Sequence, residues 1–175
     1  MSLAHVLKCD KSDLDPQKEG KALASDERLC ADTAHLLYFL YWSPAHSLAW
    51  CKVPKAGSST WVDNFFKLAE DKQGSTMDPK DREAPHTGLR KLFPKVQISD
   101  LPTIANSSLL FMVVRHPLDR FLASFRDKIE RGDTDYNVVF GKPTWPKFVD
   151  QMLRTPVASW DEHWAPMHFA ELGLF

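Results

Sequence analysis

Twice along this chain a short apolar run ends abruptly and hands over to an amphipathic helix. The residues at each hand-over are small, hydroxylated or cationic. The first run covers residues 47–53 and is bounded by Pro54; Val62, Phe65, Phe66 and Ala69 then recur at the spacing of one helical face. The second run, "LLFMVV" at 109–114, is continuously apolar, the pattern of a strand buried on both faces. It leads into "RHPLDRFLASFRDKIERG", where Pro117 suits a first helical turn and Gly132 an exit. Leu118, Phe121, Leu122, Phe125 and Ile129 form the apolar face of that helix. A repeated strand–loop–helix predicts an α/β domain with parallel strands and helical crossovers. In such sheets ligands sit at the carboxyl ends of the strands, where both hand-overs lie.

The rest of the chain is less constraining. Residues 1–26 read as a polar arm and 27–175 as the domain. Leu29, Leu36, Leu37 and Leu40 fit a helix over 27–41 that packs on a core. Residues 71–87 read as a surface loop, and a last helix is expected from near Pro146 to about Leu153. The net charge is −1, so bulk charge points to no nucleic-acid partner, and any anion site must be local. No stretch reaches the roughly 18–20 apolar residues of a membrane span. The N-terminus also lacks a signal-peptide core, which reads as a cytosolic chain or one without its targeting segment. Cys9, Cys30 and Cys51 form no CxxC pair, which argues against zinc. Asn106 opens the glycosylation triplet "NSS".

At the first hand-over, "VPKAGSST", Gly57 permits a tight turn and close approach of a ligand to the backbone. The N–H groups of Ser58, Ser59, Thr60 and Trp61 would start a helix with no intrahelical acceptor, aimed at an anion with the helix dipole behind them. Lys55 adds a mobile positive charge. The same hydroxyls would also serve as an ordinary helix cap. This is not a Walker loop, because the lysine precedes the glycine. At the second hand-over, Arg115 would end a buried strand, where a charge calls for an anion. Arg120, Ser124, Asp127 and Arg131 share one stripe opposite the apolar face; for Arg131 and Lys128 a solvated face suffices. Two separated anion sites suggest a bisphosphorylated nucleotide.

These residues resemble a known family. "VPKAGSSTW" and "VRHPLDRFLASFRDK", with "CADTAHLLYF" upstream and "DEHWAP" downstream, resemble the nucleotide-binding motifs of the Golgi carbohydrate sulfotransferases, nearest the chondroitin/dermatan and HNK-1 type. The likeness covers roughly residues 27–166. It implies a three-layer fold like that of P-loop NTPases, with a central parallel sheet flanked by helices. It also implies sulfonate transfer from 3′-phosphoadenosine 5′-phosphosulfate to a hydroxyl of a carbohydrate acceptor, without a metal. By resemblance, Pro54, Lys55, Ala56, Gly57, Ser58, Ser59 and Thr60 hold the 5′-phosphosulfate. Lys55 is then catalytic at the leaving phosphate, and Arg115 takes the 3′-phosphate. The family's 3′-phosphate serine falls at Ala123 here, which leaves two readings: Ser124, one residue on, takes over the contact, or the site is weaker. His86 lies where the family carries an acceptor-region histidine and is the expected base. His163, beside Trp164, reads as a packed core group, and His116 as a helix cap. The resemblance further implies a Golgi-lumenal location, with membrane attachment through an anchor outside this sequence, and a domain incomplete at its C-terminus. Two other readings remain: a non-catalytic remnant that binds nucleotide or glycan, and a phosphotransferase.

Overall fold

Large Leu48 and Trp50 alternate with small Ala49 and Cys51 in the strand Leu48–Cys51, and its partners define the sheet. The computed structural model describes residues 37–73, 84–132, 136 and 140–165, arranged as two units. The polar arm, Cys9, Cys30 and most of the proposed 27–41 helix lie outside the described residues.

The first unit contains residues 37–52 and 58–112 of the described chain. Strand β1 (Leu40–Ser43) runs antiparallel to β2 (Leu48–Cys51), and β3 (Leu109–Met112) runs parallel to β2. The expectation of an all-parallel sheet is thus corrected at β1. Helical periodicity had placed Leu40 in a helix, but "LYW" is aromatic-rich and suits a pleated surface. Tyr41 lies opposite Trp50 with the rings stacked 5.4 Å apart, a cross-strand pair that helix formation would forfeit.

The crossover from β2 to β3 carries α1 (Ser58–Gln73), α2 (Pro85–Leu92) and α3 (Leu101–Ser107). α1 buries Val62, Phe65, Phe66 and Ala69, the face expected from its sequence, against Tyr41, Trp50, Leu89 and Phe93. α2 begins at Pro85, inside the segment read as loop. Its Arg90 ties the helix to β1: the guanidinium donates to Leu40 O at 2.9 Å and to Tyr38 O, and lies 3.7 Å from the Tyr41 ring centroid.

β3 is not buried on both faces. It is an edge of the three-stranded sheet among the described residues, with Leu109 exposed and its other residues half-buried. Its register matters more than its burial. Cys51 pairs with Met112, so the chain leaves β2 and β3 at neighbouring positions.

The second unit contains residues 53–57 and the described part of 113–165. Helix α4 (Pro117–Phe125) continues into a π-helical turn (Arg126–Glu130), and α5 (Trp145–Arg154) follows. Its core joins the aromatic Phe125, Phe148 and Trp164 to Ile129 and Met152, with Phe121 and Trp160 against them. Leu118, expected on the apolar face of α4, is exposed. No helix among the described residues is long and apolar enough to cross a membrane.

Candidate active site

Residues 53–57 turn sharply on leaving β2. Ala56 N donates to Val53 O at 3.3 Å, and both Lys55 (φ 62°) and Gly57 (φ 83°) take left-handed backbone. A Cβ on Gly57 would meet nothing within 4 Å, so its backbone angle, not lack of space, calls for glycine. At Lys55 the same conformation strains an L-residue.

Lys55 is not the exposed loop lysine that its neighbours suggest. Its ammonium pairs with the Asp127 carboxylate on the π turn, and the lysine side chain is only 21% exposed. The hydrogen bond from Lys55 holds the Asp127 carboxyl below the usual carboxylate range, against the opposing effect of burial. Arg131 approaches the other carboxylate oxygen at 3.4 Å from an exposed position.

Arg120 is the larger surprise. It belongs to a polar stripe that seemed free to face ligand or water, yet it is buried. One guanidinium nitrogen, Nη1, donates to His163 O at 2.9 Å, Glu162 O at 3.3 Å and Pro54 O at 3.4 Å, while Nη2 donates to Ala165 O. Burial pushes the Arg120 pKa below its ordinary value. A planar five-donor fork suits this task, because turn carbonyls have no partners in helix or sheet. Arg120 therefore fastens the loop preceding Lys55 and the 161–165 turn to α4.

Ser124 completes this clamp, which corrects its expected role. It is fully buried, and its hydroxyl donates between Arg120 O at 2.8 Å and His163 O at 2.5 Å. A hydroxyl so engaged cannot take over a phosphate contact. Ala123, the preceding residue, is half-buried. Arg115 is also corrected: it lies beyond the end of β3 and is exposed, so no buried strand end compels it to find an anion. His116 occupies the N-cap position of α4 without a side-chain capping bond.

The 161–165 turn holds a polar cluster. His163 Nδ1 lies 2.5 Å from Asp161 Oδ1, which also accepts the His163 backbone N–H at 2.9 Å. Tyr136 OH donates to Asp161 Oδ2 at 2.9 Å. Burial pushes the Asp161 carboxyl upward, but the bonds from His163 and Tyr136 outweigh it and hold the group below its ordinary range.

In the first unit, α1 begins at Ser58, directly after Gly57. Ser59 and Thr60 are exposed, and no acidic residue occupies the first turn. The first N–H groups of such a helix lack intrahelical acceptors. His86 is exposed in the first turn of α2.

The sequence profile of the sulfotransferase family matches residues 40–170, a span that includes both hand-overs, the clamp and the 161–165 turn. The chain belongs to this sulfotransferase family. The chain is 31% identical over 116 residues to carbohydrate sulfotransferase 9 of Homo sapiens, an alignment covering 65% of the chain and 26% of that relative. It is 28% identical over 122 residues to carbohydrate sulfotransferase 8 of Mus musculus, covering 70% of the chain and 29% of the relative. The Homo sapiens carbohydrate sulfotransferase 8 gives 28% identity and the same 70% of the chain. The chain thus spans between a quarter and a third of the curated relatives it matches. No solved structure matches it significantly.

Asp127, Arg120, Asp161 and Tyr136 were not singled out as site residues from the sequence. For Arg120 and Asp127 the signal is the stripe at 120, 124, 127 and 131; for Asp161 and Tyr136 no local pattern gives one.

Proposed function

We propose that this protein moves a sulfonate group from 3′-phosphoadenosine 5′-phosphosulfate to a hydroxyl of a carbohydrate acceptor. The observation that carries the reading is the Lys55 ammonium, held by Asp127 in the turn that runs straight into the N-terminus of α1. In-line transfer mainly needs alignment and positive potential where charge develops. As the acceptor oxygen bonds to sulfur and the sulfur–oxygen bond to the leaving phosphate breaks, Lys55 and the N–H groups of Ser58, Ser59 and Thr60 meet the charge gathering on that phosphate. Pro54, Ala56 and Gly57 shape the turn. Arg115, exposed and unburdened by burial, is assigned to the 3′-phosphate, beside Ala123. His86 was the base suggested by resemblance.

The fold assigned with this reading is P-loop-like, and the location is the Golgi lumen with attachment by an anchor. A second reading, nucleotide binding without turnover, is favoured by one observation: Ser124 is committed to the clamp and Ala123 has no hydroxyl to replace it.

Calorimetry with adenosine 3′,5′-bisphosphate, 5′-AMP and ATP, paired with radiolabelled sulfonate transfer to a glycan panel, separates the readings. Bisphosphate should bind most tightly, and Lys55→Ala should abolish transfer. Binding without transfer in the wild type supports the second reading. Transfer by Lys55→Ala within about tenfold of the wild type, or about 1.4 kcal/mol of barrier, removes the lysine from the mechanism.

A further inference from the structure

We infer that His163 takes the proton from the acceptor hydroxyl during transfer, with Asp161 and Tyr136 as its positioning residues; this rests on the sulfonate-transfer reading above. Asp161 grips one side of the histidine twice, through the ring Nδ1 at 2.5 Å and the backbone N–H at 2.9 Å. Tyr136 fixes the second carboxylate oxygen at 2.9 Å and lies 3.2 Å from Nδ1. An Nδ1–H donated to a carboxylate leaves Nε2 as the nitrogen with a lone pair. That Nε2 has no hydrogen-bond partner among the described residues and is not sealed from solvent, since the His163 side chain remains 18% exposed.

A histidine serving only packing would have both nitrogens satisfied or turned inward. Here one is anchored and the other open, the arrangement that a general base requires. The backbone places it. His163 O is bound by Arg120 Nη1 and Ser124 Oγ, and the same Arg120 nitrogen reaches the carbonyl of Pro54, next to Lys55. The turn carrying the base and the loop carrying the lysine are therefore held on one guanidinium.

The step balances. The acceptor O–H bond breaks, its proton passes to Nε2, and the oxygen bonds to sulfur. The sulfur–oxygen bond to the 5′-phosphate breaks with its electron pair leaving on the phosphate. Asp161 stabilises the imidazolium that results.

The test uses the full-length protein, radiolabelled sulfonate transfer at saturating donor, and calorimetry with adenosine 3′,5′-bisphosphate. His163→Gln should bind the bisphosphate within about threefold of the wild type while kcat falls about 100-fold or more. Asp161→Asn should lower kcat about tenfold or more without a matching rise in KM. His163→Ala should regain transfer on addition of imidazole, which no loss of packing would allow. A folded His163→Gln that transfers within about threefold of the wild type overturns the inference. Loss of transfer in His86→Gln alongside full activity in His163→Gln also overturns it. If His163→Gln does not fold, the imidazole titration of His163→Ala decides, and absence of recovery counts against the inference. A wild type that neither binds the bisphosphate nor transfers sulfonate refutes the proposed function itself.

Discussion

Replacing Arg120 by Met should destabilise the second unit by about 2–4 kcal/mol, although α4 would keep a side chain of similar length. The magnitude follows from which carbonyls lose their donor. Pro54 O, at 3.4 Å, is the weakest of the four, and His163 O keeps the Ser124 hydroxyl at 2.5 Å. The loss therefore concentrates on Glu162 O and Ala165 O. A buried acceptor left unpaired costs about 1–3 kcal/mol, and removing a guanidinium that was itself costly to bury returns part of that. Urea denaturation followed by circular dichroism reads the difference. With a slope of about 1–3 kcal/mol per molar, the midpoint should fall by about 1–2 M. Arg120→Lys should recover less than half of the loss, because one ammonium cannot fork across separate carbonyls. A shift below about 0.5 kcal/mol in a cooperative Arg120→Met transition would refute the clamp as a stabilising element.

Three further outcomes follow from the same geometry. Ser124→Ala should cost about 1–2 kcal/mol of stability yet leave the intrinsic bisphosphate affinity of the folded protein unchanged, whereas Ala123→Ser should tighten it. Calorimetry and melting on both variants check this, and weaker binding by a fully folded Ser124→Ala would restore the phosphate role. Asp127 and Asp161 have folded pKa values below their unfolded ones, so each contributes stability above about pH 4 that is lost as pH falls through the folded value. The acid limb of the melting curve should flatten in Asp161→Asn; an unchanged limb would reject the linkage. Burial pushes the Cys51 thiol up to about 12, so native protein at pH 8 should resist iodoacetamide at this residue and become labelled in urea, as peptide mapping would show.

The elements with strong periodicity were legible. Val62, Phe65, Phe66 and Ala69 gave α1, and Pro146 to Leu153 gave α5 within a residue at either end. The two strand exits were also legible, and the Cys51–Met112 pairing shows why they matter together. β1 was hidden because Leu36, Leu37 and Leu40 mimic a helical stripe, and only pairing with β2 makes a strand preferable. The polar stripe at 120, 124, 127 and 131 is legible, and Arg131 is solvated as its pattern suggests, but the inward turn of Arg120 and Ser124 is not legible. Polar groups normally face water, and a stripe turned inward is recognisable only once unpaired turn carbonyls are seen opposite it. The partnership of Lys55 with Asp127 spans residues far apart in sequence, and no local pattern announces it.

The left-handed backbone at Lys55 sets stability against chemistry at a single position. An L-residue at φ 62° bears about 1–2 kcal/mol of strain that glycine would not. Laboratory selection for heat resistance alone would favour glycine or asparagine at this site, and the resulting protein would be sturdier while lacking its proposed catalytic cation. Thermostabilised lineages of this chain should therefore be screened for turnover at every round, since residue 55 is where improvement by one measure removes the other.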